Sequence, residues 1–227
     1  MLARSANAGL DRCVKPGPGA TLDLTFTDPE VIMSTQLTPT RTVVPHLVAG
    51  GILTLVCGVA VQVVAIPLTD VSDDRFSSPW SSTALIWVSL LYAVLHVLIA
   101  YGLWAVRDRA RTAAGRGGLT LAAGATLLLF AGEIASIPMR DRLLEDPTVG
   151  LVTGLLFGLG TLVSALAMLV AGIAEVRARR TPFSVAVLAS GVVTAALLGL
   201  ILTPVMALAI GIYGASISVV GFTARNA

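Results

Sequence analysis

Beyond Val44 the chain is a succession of apolar blocks, at about residues 46–68, 83–106, 117–139, 149–174, 183–202 and 205–222, joined by short polar or charged connections. Each block is long enough, or nearly so, to cross a hydrocarbon core of about 30 Å at about 1.5 Å per helical residue. In lipid an open strand would leave backbone N–H and C=O groups unpaired, so the blocks must be helices. The expected fold is therefore all-α, a polytopic transmembrane bundle of six helices. The division between the last two is the least marked, because Phe183 to Phe222 is broken only at Thr203-Pro204. One helix of that length would run about 60 Å, twice the bilayer. Thr203 is read as an N-cap and Pro204 as the first residue of the sixth helix.

Composition leads to the same class. Apolar residues make up 56% of the chain and charged ones 12%, with a mean hydropathy of +0.88, whereas soluble domains carry about 25% charged residues. A net charge of +2 with scattered basic residues gives no footing for a nucleic-acid partner. Lys15 is the single lysine against fourteen arginines, which points to a high-GC bacterial genome. Cys13 and Cys57 fall in a polar segment and an apolar span, so no disulfide, metal site or other cofactor is expected. Residues 1–45, rich in Gly, Pro, Asp and Thr, read as a disordered cytoplasmic tail ahead of a transmembrane domain at 46–227. They lack the apolar core of a secretory signal, and Met33 is an alternative start.

Charge sets the expected orientation. With six spans, Arg41, Arg107, Arg109, Arg111, Arg116, Arg177, Arg179, Arg180 and Arg225 fall at one end, against Arg75, Arg140 and Arg142 at the other. The positive-inside rule makes the first end cytoplasmic, with both termini inside. Asp70, Asp73, Asp74, Asp141, Glu145 and Asp146 occupy the opposite loops, without the ordered spacing of a calcium loop. The segments "AVRDRARTAAGRGGLTLAAGATLLL" and "AEVRARRTPFSVAVLASGVVTAALL" share an Arg-x-Arg turn between a helix end and a small-residue helix, the pattern of a duplicated hairpin.

Small residues spaced by four, Gly154 and Gly158 in span 4 and Ala207, Gly211 and Ala215 in span 6, are expected at close helix contacts. Those contacts serve either the bundle itself or a dimer with a second copy or another membrane protein. Ionisable groups at membrane depth cost about 2.5–3.5 kcal/mol each unless paired or hydrated, so His96 and Glu133 are the sharpest functional pointers. Ser89 and Tyr92 share a helical face with His96, and Thr126 and Ser136 share one with Glu133. Gln62 in span 1 completes an expected polar cavity biased to the outer side. Counting about 1.5 Å per residue puts His96 and Glu133 some 8 Å apart in depth, so Tyr92 or Gln62 is the expected partner of Glu133. His46 reads as interfacial, and Glu175 with Arg179 as a surface i, i+4 pair.

Enzyme motifs do not emerge: there is no phosphate-binding Gly-rich loop, His-Glu-x-x-His or cysteine pair. Six spans invite comparison with rhomboid proteases, but "GASIS" places Ile217 where their nucleophile motif needs Gly. The His in span 2 and "GATLLLFAGE" in span 3 resemble small integral membrane proteins of high-GC Gram-positive bacteria. That resemblance implies a multi-pass protein of the bacterial cytoplasmic (inner) membrane and brings no activity with it. The expected role is a non-enzymatic structural or partner-binding bundle. The alternatives are a small-solute or proton-coupled permease built around Glu133 and, more remotely, an intramembrane enzyme.

Overall fold

A computed structural model describes residues 40–200, 203 and 205–225. Residues 1–39, with the alternative start at Met33 and most of the expected tail, lie outside the described residues, as does Pro204. Six helices are long and apolar enough to span a membrane: α1 (Pro45–Ala65), α2 (Ser82–Arg109), α3 (Ala113–Met139), α4 (Pro147–Ala178), α5 (Pro182–Leu200) and α6 (Met206–Ala224). The chain is a multi-pass membrane protein with an all-α, six-helix fold. Helix already begins at Thr40, inside the segment read as tail, and Pro45 is accommodated within it. Two spans carry π-helical stretches, Val61–Ala65 ending α1 and Val152–Gly158 within α4.

Each helix packs on its neighbours in sequence, and α1 packs extensively on α6, so the six close into a ring. Leu47, Ile99, Leu103, Leu119, Met168, Val187 and Ile217, drawn from all six helices, are fully buried in a single core cluster. The centre of the ring is therefore filled by side chains. Outward positions such as Val63, Trp87, Leu121, Val170 and Val192 form an apolar belt, the surface that a bilayer covers.

Lipid tails are as apolar as leucine, so the helices are held by close backbone approach. Along the α1–α6 seam, a Cβ on Gly58 would come within 2.5 Å of the Ala207 carbonyl oxygen and 2.7 Å of Gly211 Cα. One on Gly214 would reach within 2.6 Å of the Gly51 carbonyl oxygen. The contact stripe on α6 is Ala207, Gly211, Gly214, Ser218 and Gly221. Ala215, expected on that stripe, is only half-buried. The reason is geometric: repeated steps of four rotate around a 3.6-residue helix, whereas alternating steps of four and three keep to one face. Gly154 and Gly158 depart further from expectation. A Cβ on Gly154 would meet nothing within 4 Å, and one on Gly158 only Thr153 of its own helix. The glycines by which α4 packs are Gly160 against α3 and Gly172 against α5.

The connection between α5 and α6 falls where the sequence put it but is built differently. Thr203 donates its hydroxyl to the Leu200 carbonyl at 2.7 Å, closing the end of α5. Helix α6 starts at Met206 with Val205 in the cap position. Its Leu208 N–H instead reaches the Gln62 side-chain oxygen at 3.4 Å. The hydroxyl of Thr203 is thus used on an orphan carbonyl of the helix before it rather than on a donor of the helix after it.

At the acidic end, the loops following α1 and α3 clasp each other. Phe76 N–H donates to Arg142 O at 2.9 Å and Leu144 N–H to Asp74 O at 2.8 Å, around an antiparallel bridge between Arg75 and Leu143. The Ser82 hydroxyl donates to Asp141, joining the start of α2 to the loop after α3. Asp146 caps α4 through Thr148 and pairs with Arg142 at 2.6 Å.

Candidate functional site

The site grows from the α2–α3 hairpin. His96 Nδ1 lies 4.0 Å from Glu133 Oε1, and each side chain is 14% exposed. The two are therefore neighbours, against the expectation from residue counting. Every Cα–Cβ bond tilts toward the N-terminus of its own helix. In antiparallel α2 and α3 these tilts oppose, so His96 leans toward the acidic end and Glu133 toward the arginine-rich end, and the side chains close the gap between their Cα levels.

The polar neighbour of Glu133 on α2 is Ser89, about two turns before His96. Gln62, expected at Glu133, instead faces the first turn of α6. Tyr92 stands beside His96, with ring centroids 6.5 Å apart, and turns into a separate cleft of about 440 Å³ shared with Cys57, Val61, Val88 and Trp80. Thr126 and Ser136 are buried but donate to carbonyls of their own helix, Ala122 at 2.9 Å and Gly132 at 2.8 Å. The expected cavity shared by three spans is thus a narrower constellation of Ser89, His96 and Glu133, with Tyr92 at its edge. A β-hydroxyl within reach of its own i−4 carbonyl satisfies itself locally, which is why Thr126 and Ser136 contribute nothing polar to the site.

His96 Nδ1 is one of four buried polar atoms with no hydrogen-bond partner among the described residues, with Ser164 Oγ, Ser190 Oγ and Tyr213 Oη. The orphan nitrogen facing a carboxyl 4.0 Å away is the arrangement with chemical potential. A proton shared between the two groups would turn an unmade contact into a charge-assisted hydrogen bond. No group of three or more His, Cys, Asp or Glu that could hold a metal ion occurs among the described residues.

No protein-family model, curated protein or solved structure matches the chain. The geometry alone therefore carries the functional reading.

A second buried acid escaped the sequence. Glu175, read as half of a surface pair with Arg179, is 3% exposed. Its carboxylate accepts from Arg111 N–H at 3.0 Å, from Thr112 N–H at 2.8 Å and from the Thr112 hydroxyl at 2.6 Å. Thr112 in turn caps α3 by accepting from Gly115 N–H at 2.8 Å. The carboxylate sits against Gly115, where any Cβ would collide with it. An anion at the positive end of α3 is favoured by the helix dipole. The clue available in sequence was the glycine three residues after a capping threonine, which leaves room for a side chain from another helix. The other half of the suggested repeat has the same cap, with Ser184 N–H donating to Thr181 Oγ1 at 3.1 Å.

Proposed function

We propose that this chain is a non-catalytic structural or partner-binding protein of the bacterial cytoplasmic membrane, with its arginine-rich end and both termini on the cytoplasmic side. The observation that carries this reading is the filled centre of the ring, where side chains from all six helices meet. A permease needs a route that opens to each side in turn. Here the contacts that would line such a route are side chain on side chain. In this reading Glu133, set against Ser89 and His96, packs α3 on α2, and Glu175 locks α4 to the start of α3.

Reconstitution into liposomes loaded with a pH-sensitive dye tests the proposal. Proton and small-solute leak should equal that of protein-free vesicles. A leak that requires the protein and disappears in Glu133→Gln overturns it in favour of a proton-coupled permease. That second reading is favoured by one observation, the unpartnered His96 Nδ1 facing the Glu133 carboxyl.

A further inference from the structure

At the arginine-rich end, a groove of about 550 Å³ runs between α5 and α6, with Arg180 at its mouth and Val185, Ala186, Ala189 and Val219 along its walls. Ala186 and Ala189 are small where their neighbours are valines, and this leaves a trough along the lipid-facing surface. Val185, Ala189 and Val219 are exposed, so the trough opens toward the membrane rather than into the core. The polar groups at the start of α5 are already committed to each other: Thr181 N–H donates to Ser184 Oγ at 2.8 Å and Ser184 Oγ to Arg179 O at 3.1 Å. Arg180 is exposed and forms no ion pair among the described residues. Arg179 before it is exposed as well, and Arg225 follows the last turn of the adjoining α6.

We propose that this groove is a binding site for one anionic phospholipid of the leaflet at the arginine-rich end, its acyl chain in the Ala186–Ala189 trough and its phosphate on Arg180. Charge complementarity selects the occupant. A basic side chain at the interface attracts an anionic headgroup by about fivefold in affinity, and the apolar walls give an acyl chain what a soluble anion lacks. The site is independent of the role proposed above, since it lies on α5 and α6, away from Ser89, His96 and Glu133.

Native mass spectrometry of the full chain released from detergent, after incubation with phosphatidylglycerol or phosphatidylcholine of identical acyl chains, tests the assignment. One phosphatidylglycerol should be retained in preference to phosphatidylcholine. Arg180→Gln should reduce that preference about fivefold, and Ala189→Trp, which fills the trough from the lipid side, should reduce retention of either lipid at this site. Arg75→Gln, at the opposite end, should leave retention unchanged. Size-exclusion profiles matching the wild type certify that the variants are folded. Equal retention of both lipids, an undiminished preference in Arg180→Gln, or displacement of the lipid by inorganic phosphate alone would overturn the proposal.

Discussion

Glu175 gathers three donors from the turn before α3, and its removal would leave Arg111 N–H and both Thr112 donors without their acceptor in a partly buried place. Glu175→Ala should therefore destabilise the bundle by about 1–3 kcal/mol, read as a lower unfolding temperature in detergent, with Glu175→Gln losing less because an amide oxygen still accepts. Arg179→Ala should be close to silent, the opposite of what a surface pair between the two would give. Glu133 invites the same comparison. As a lock it should tolerate Gln, while Glu133→Ala should cost about 1–3 kcal/mol by taking a polar neighbour from the buried Ser89 hydroxyl, and a Ser89→Ala double-mutant cycle should show coupling between the two. At the acidic end, Asp146 is held down from an ordinary 3.8 to about 2, first by the Thr148 hydroxyl and then by Arg142. A depressed carboxyl contributes its stabilisation above its unfolded value and loses it as pH falls through the folded one. The cap on α4 should thus hold above about pH 4 and fray toward pH 2, an exposed and therefore small effect visible as amide exchange at Thr148.

At the scale of elements, the spans were legible in the sequence because a 20-residue apolar run leaves lipid-embedded backbone no alternative to helix. Which faces touch was less legible. Ala207 and Gly211 were found because they are small, but the stripe continues through Gly214 and Ser218, since packing follows the true helical pitch and not a fixed spacing. Gly154 and Gly158 carried the same signal and pack on no neighbouring helix of this chain. Composition records that a residue is small, not whether a neighbour is present. The contrast yields a paired test. Gly58→Leu should cost about 1–3 kcal/mol by overpacking against Ala207 and Gly211, whereas Gly154→Leu should stay within about 0.5 kcal/mol in the monomer. Unfolding midpoints of the two variants in mild detergent compare them directly. The polar site follows the same logic. His96 and Glu133 were identifiable as charges at membrane depth, while their proximity was hidden because residue counting follows Cα levels and ignores the opposed lean of side chains on antiparallel helices.

For the whole molecule, the closure of α1 on α6 makes the first and last spans the seal of a ring whose centre is packed. Topology is one consequence to check: reporter fusions after Arg111, Arg180 and Arg225 should report the cytoplasm, and fusions near Asp73 and Asp146 the exterior. Packing is the other, and it decides whether water reaches the centre of the ring. In a background with Cys13 and Cys57 replaced by serine, single cysteines at Leu47, Ile99, Leu103, Leu119, Met168 and Ile217 would be challenged in intact membranes and in inverted vesicles with a membrane-impermeant thiol reagent, beside exposed controls at Asp73 and Arg177. A filled ring predicts that the controls react and that the six core positions stay unmodified from both sides. Labelling at several core positions on different helices would mean that water enters the centre, and the account of a sealed, non-conducting body would fail.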